Sequence, residues 1–327
     1  MSAGETMKRE PEGGALVRVV REWAFRASTE VCVHDEELLF ELAERLPVGA
    51  SVYVAHTPRA TVEDVTRVAM RAQRAGFRAS PHIVVRRLAS HVELQRMLER
   101  LREAGIRQVL LVAGDIQRPV GPFTSTLEVL DCGLLERCGI EQVGVAGHPE
   151  GHRLIAPEVH LAALRRKQAF AERTGVAVHI VTQFGFDPER VYAWSRRLHD
   201  EGISLPIHVG IAGPTPLPKL LKFAVRCGIG ASVRAVGNDV SGMLAMARKA
   251  KSGGEVLLGL LRTLAQDGEK ARLAQVHVFS FGGALATADW LRAIVEGNFA
   301  VQSDGRGLEI RTSGSKSETG TDDVDAG

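Results

Sequence analysis

The sequence predicts an α/β fold, a single (β/α)8 TIM barrel, and three observations carry that prediction. β-branched runs and amphipathic stretches alternate along the chain, the pattern of parallel strands joined by helices. Eight such strands can be placed, and eight parallel repeats close most economically into a barrel. Six of them deliver a polar residue at the same end, where barrel enzymes keep their chemistry. The competing topology is a doubly wound open sheet, but no G-x-G-x-x-G turn follows the first strand.

Taken in order, the first strand spans Arg26–Val33 and carries Glu30, and the amphipathic stretch Asp35–Leu46 follows it. Ser51–Ala55 leads to His56 and Thr57, ahead of a helix at Thr61–Ala75. That helix opens with Thr-Val-Glu-Asp, so Thr61 and Asp64 can serve orphan amides. Arg78–Val85 brings His82, and Ser90–Ala104 repeats apolar residues at Val92, Leu94, Met97, Leu98 and Leu101 with the helical period. Gln108–Val112 runs into Ala113-Gly-Asp115. Gln142–Ala146 runs into His148-Pro-Glu-Gly-His152 and a helix at Glu158–Arg173. Val176–Gln183 places an amide, Gln183, where the chain turns into the helix Pro188–Glu201. The last strands are Leu205–Ile211 and Gln275–Phe281, with helices at Pro216–Cys227, Val240–Lys251, Glu255–Asp267 and Leu285–Glu296. Met1–Gly14 and Ser313–Gly327 are too poor in apolar residues to repay their ordering entropy. Both are expected to be disordered tails around one catalytic domain, residues 15–312.

Composition excludes several classes. Lys and Arg total 41 against 39 acidic residues, so no global field draws nucleic acid or anionic lipid. The four cysteines, Cys32, Cys132, Cys138 and Cys227, form no C-x-x-C pair, and nothing resembles a signal peptide or an apolar span of about 20 residues. A reduced cytoplasm, no membrane and no nucleic acid are the expectations, with a homo-oligomer as the assembly. The spacing in His148-Pro-Glu-Gly-His152 is not the helical H-E-x-x-H of zinc sites, so no metal is expected. His34, His91, His179, His199, His208 and His277 are assigned to packing or surface. Gly114-Asp115 is also ordinary turn chemistry when taken alone.

Ala113-Gly-Asp115, Val145-Ala-Gly-His-Pro-Glu-Gly-His152, Leu164-Arg-Arg-Lys167 and Val181-Thr-Gln-Phe-Gly-Phe-Asp187 occur in this order, followed by Val209-Gly-Ile211 and Lys222-Phe223-Ala-Val-Arg-Cys-Gly228. Together they resemble the methylenetetrahydrofolate reductase family, most closely from Val145 to Asp187. The resemblance implies a flavin-bearing barrel that uses FAD, with NADH or NADPH as co-substrate, to reduce 5,10-methylenetetrahydrofolate to 5-methyltetrahydrofolate. It implies that Glu30 is the general acid that helps open the folate ring and that Asp115 lies beside the flavin and tunes its potential. Gln183 and Phe279 then contact the folate substrate. Thr57, His82, His148, His152, Arg166 and Lys167 fall on the cofactor side, where two phosphates need cationic or hydrogen-bonding groups. The sequence departs from the family pattern at Ala113 for an arginine, His148 for an aromatic residue, His160 for an aspartate and Phe279 for a tyrosine. These departures keep two alternatives open: the same chemistry run as methyltetrahydrofolate oxidation in one-carbon catabolism, and a flavin-free folate-binding or regulatory barrel.

Overall fold

The computed structural model describes residues 12–152, 154–227, 252–267 and 271–311. Eight parallel strands close into a barrel in chain order: β1 (Ser28–Cys32), β2 (Ser51–Ala55), β3 (Arg78–Val84), β4 (Gln108–Val112), β5 (Gln142–Gly147), β6 (Ala177–Thr182), β7 (Ile207–Ala212) and β8 (Leu273–Phe279). The helices are α1 (Glu12–Arg26), α2 (Leu39–Ala43), which follows a 3-10 segment at Val33–Leu38, α3 (Val62–Arg74), α4 (His91–Glu103), α5 (Thr126–Asp131), α6 (Leu134–Arg137), α7 (Pro157–Thr174), α8 (Pro188–Asp200), α9 (Leu217–Cys227), α10 (Gly253–Asp267) and α11 (Ala284–Glu296). None of the described helices is long and apolar enough to cross a membrane.

Alternation along each strand divides the core into two layers. Val31, Val52, Val54, Ile83, Val109, Leu111, Val143 and Val145 face outward and bury apolar surface against the helices. The inward positions are largely polar. The Tyr53 hydroxyl lies 2.9 Å from His179 Nε2, and Gln142 Nε2 lies 3.2 Å from His179 Nδ1. His179 stacks on His208 at 4.1 Å, and Tyr53 meets His277 edge-on at 4.7 Å. Burial holds these imidazoles neutral, with the pKa of His179 lowered to about 4, His277 to about 3 and His208 to about 2.

Closure of the barrel is uneven. β5 and β6 share six residue pairs, whereas β1 and β8 share two, Ser28 with His277 and Thr29 with Val278. Two side-chain bonds reinforce that seam: Thr29 Oγ1 donates to Val278 O at 3.0 Å, and Ser28 Oγ lies 2.9 Å from His277 Nδ1.

The strands expected from the sequence match those observed within two residues at most ends. No helix is expected before the first strand, so α1 is an addition, and its start lies in the stretch read as a tail. Residues 12–14 belong to α1, whose Val20, Trp23 and Ala24 are buried in the core. α5 and α6 are further additions, too short for a 3.6-residue period to show. A terminal hairpin, β9 (Phe299–Val301) with β10 (Leu308–Ile310), has strands of three residues that alternation cannot flag. The helix expected at Val240–Lys251 and the tails before residue 12 and after residue 311 lie outside the described residues.

Candidate active site

The C-terminal ends of the strands bring most of the expected residues to one mouth. Glu30 sits on β1 with its side chain inward, in register with Tyr53 of β2. Burial, then the nearby charge of Asp35, pushes its pKa up to about 7, against the opposing pull of a hydrogen bond from the Phe281 backbone N–H. Phe281 follows β8 with φ of +49°, the one non-glycine residue with positive φ among those described. Such a conformation costs energy and tends to persist where a site uses it.

Around Phe281 an aromatic wall lines the same end of the barrel. Its ring centroid lies 4.9 Å from Phe184, 4.8 Å from Phe223 and 5.9 Å from Phe279, and Phe186 meets Phe184 at 5.8 Å. Phe279 is the last residue of β8. Gln183 directly follows β6, where its backbone N–H donates to Gly147 O at 2.8 Å and its side chain is half-buried.

A second group is built by the β5 loop and α7. His148, His152 and His160 cluster with ring centroids 4.7 to 5.6 Å apart. His148 Nδ1 and His160 Nε2 are buried without a hydrogen-bond partner. Lys167 has only 8% of its surface exposed, and it makes no ion pair among the described residues. Burial lowers its pKa to about 8. Burial, the neighbouring imidazoles and Lys167 lower His148 to about 3 and His160 to about 4. A cation beside three imidazoles disfavours a metal, and no group of His, Cys, Asp or Glu among the described residues is arranged to hold one. Donors without acceptors suit an anion instead. Glu150, on the same loop, lies against Gly185, so this group and the aromatic wall adjoin.

A third group joins β2, β3 and β4. Gly114 adopts φ of +93° and packs so closely on Val84 that a Cβ would sit 2.4 Å from its Cγ1, a turn that delivers Asp115 to the surface of the mouth. Arg87 Nη2 pairs with the Asp115 carboxylate at 3.6 Å, while Arg87 Nη1 donates to the Thr57 carbonyl at 2.9 Å. Sequence reasoning missed Arg87 because it falls a few residues past a strand with nothing local to mark it.

Two expected residues are placed elsewhere. Arg166 projects from the outer side of α7, where it is exposed and paired with Asp131 at 2.6 Å, away from the imidazole cluster that its neighbour Lys167 joins. The helical turn of about 100° per residue explains the split. His82 lies within β3 rather than at its end, inside the barrel and 6.1 Å from the Tyr53 ring, and burial lowers its pKa to about 3.

A solved structure of dihydropteroate synthase from Thermus thermophilus is similar at 15% identity and a TM-score of 0.41, over 82% of this chain and 93% of that one. The sequence profile of Methylenetetrahydrofolate reductase matches residues 31–233, more than half of the chain, and so covers every part of the mouth except Glu30, the end of β8 with Phe279, and the loop after it. The chain therefore belongs to the methylenetetrahydrofolate reductase family, oxidoreductases that act on folates.

Proposed function

We propose that this protein reduces 5,10-methylenetetrahydrofolate to 5-methyltetrahydrofolate with NAD(P)H and FAD. The observation that carries the reading is the partly buried carboxyl of Glu30, which keeps its proton near neutral pH at the open end of the barrel. A general acid works best with a pKa near the working pH.

The residues of the second group fit FAD: an unpaired buried ammonium and two orphan imidazole nitrogens are what a phosphate-bearing ligand needs. His148, His152, His160 and Lys167 would hold its phosphate and ribose portion, while Arg166, paired with Asp131 on the outer side of α7, would take no part. When bound, FAD supplies the hydride relay between nicotinamide and folate. The chain's own residues do the rest. The phenylalanines around Phe281 exclude water and offer flat apolar faces to a ring system. Gln183 presents donor and acceptor together, which suits a pterin edge. Glu30 gives its proton to the folate nitrogen as the bond from that nitrogen to the methylene carbon breaks, and the electron pair of that bond stays on the nitrogen. Asp115, fixed by Arg87, adds negative charge at the rim. Equilibrium dialysis against FAD at about 0.1 mM tests the reading, with a bound yellow cofactor as the expected result. No binding at that concentration overturns the flavoenzyme and leaves the second reading, a flavin-free folate-binding barrel. That alternative is favoured by the neutrality of His148 and His160 where phosphates ask for charge.

A further inference from the structure

We propose that Asp35 is a positioning residue for the acid, a buried carboxylate whose charge keeps the proton on Glu30 in the resting protein. The proposal rests on the reading of Glu30 as proton donor and adds a charge that works with burial, the larger cause of its raised pKa. Asp35 is only 7% exposed and pairs with no cation among the described residues. Its Oδ2 accepts both donors of Cys32, the backbone N–H at 2.8 Å and the thiol at 3.1 Å. These bonds fix the carboxylate, on the 3-10 segment that leaves β1, against Cys32, which lies two residues past Glu30 on the same, inward face of the strand.

A buried carboxylate that lacks a cation is costly, and proteins retain one where its field is used. Two carboxyls that share a site do not readily ionise together, so the charge of one keeps the other neutral. The Cys32 thiol cannot compete for that role. Burial and Asp35 push its pKa up to about 11, which leaves it an uncharged donor at neutral pH. The other groups facing Glu30 are the Phe281 N–H, which pulls toward ionisation, and the in-register Tyr53, whose phenol burial keeps protonated. Asp35 is thus the charged group beside Glu30 that favours the acid form. After proton transfer the Glu30 carboxylate regains its proton from solvent.

The test is a carbon-13 titration of the Glu30 side-chain carboxyl in the full chain, assigned with Glu30→Gln, for wild type, Asp35→Asn, Asp35→Ser and Cys32→Ala. Removing the charge in either Asp35 variant is expected to lower the Glu30 midpoint by about one pH unit. Cys32→Ala, which keeps the charge, leaves the midpoint raised. An unmoved midpoint in both Asp35 variants overturns the proposal. So does a fall in Cys32→Ala as large as theirs, since the effect then comes from local structure. The pH profile of folate reduction, measured on the same proteins, separates the two readings. An alkaline limb that follows the carboxyl midpoint supports both. A midpoint that falls while the limb stays put keeps the Asp35 link and overturns Glu30 as the acid.

Discussion

The backbone N–H of Phe281 reaches the Glu30 carboxyl from a left-handed conformation, φ +49°, that non-glycine residues seldom adopt. It joins the last strand of the barrel to the first and sets the acid against a fixed donor. That donor favours the carboxylate, burial and Asp35 favour the acid, and the balance lies near neutrality.

Glu30→Gln keeps shape and hydrogen bonding but has no transferable proton. Folate reduction is expected to fall by about two orders of magnitude or more, while reduction of the flavin by nicotinamide changes little. Stopped-flow measurement of the two half-reactions separates these, and equal slowing of both assigns Glu30 a structural role. The same variant has a stability signature. A carboxyl whose pKa is higher in the folded state than its ordinary 4.5 costs stability above pH 7, and that cost disappears as pH falls below 4.5. Glu30→Gln is therefore expected to be more stable than wild type above pH 7, by up to about 3 kcal/mol, and equal to it in acid.

Lys167→Met should move binding and stability in opposite directions. The ammonium is buried unpaired, and its pKa, lowered to about 8, makes it a cost that is complete below pH 8 and gone above 10.5. Without FAD, the variant is expected to gain up to about 3 kcal/mol at pH 7 by denaturant unfolding. Its affinity for FAD is expected to fall at least about tenfold, the loss of a charge-assisted contact. A variant that neither gains stability nor loses FAD places the anion elsewhere.

The imidazoles inside the barrel predict acid sensitivity. His82, His179, His208 and His277 have pKa values of about 3, 4, 2 and 3 in the fold, below the ordinary 6.5. The unfolded chain binds more protons between those values and 6.5, so stability is complete above pH 6.5 and drains away as pH falls. Each ring removes up to about 1.4 kcal/mol per pH unit in that window. Urea unfolding at pH 7 and pH 5 should show a steep fall, reduced in His208→Gln. Equal stabilities at the two pH values contradict a neutral interior.

Gln183→Glu keeps size, removes the amide donors and adds a charge to the mouth. Folate affinity should drop by about 1–3 kcal/mol for a lost buried hydrogen bond. Titration calorimetry with the folate reads this directly, and an unchanged dissociation constant moves the pterin away from β6. In wild type, initial-rate plots at varied folate should stay parallel, because one site serves both substrates in turn.

The barrel is legible in the sequence because its strands repeat one signal eight times, and Gln108–Val112 and Ser51–Ala55 are placed to the residue. Gln183 is legible as a polar residue at the end of an apolar run, whereas Phe279 is named only through the family resemblance, because the sequence pattern runs the last strand on to Phe281. His82 is harder: a histidine after Phe77-Arg-Ala-Ser-Pro reads as a strand end, but Pro81 continues β3 rather than stopping it. Arg166 and Lys167 look alike in sequence, and only the orientation of α7 decides which of them faces inward. Arg87 and Asp35 leave no trace at all, because each acts through partners, Thr57 with Asp115 and Cys32 with Glu30, that the fold alone brings near.

The short seam between β1 and β8 gives the molecule an unequal rhythm of breathing. With two paired residues there and six between β5 and β6, amide hydrogens of β1 are expected to exchange with solvent well before those of β5. Opening at that seam brings water from below the mouth to the strand that carries Glu30, so a proton lost from the acid has a route of return that does not wait for the bound ligands to leave.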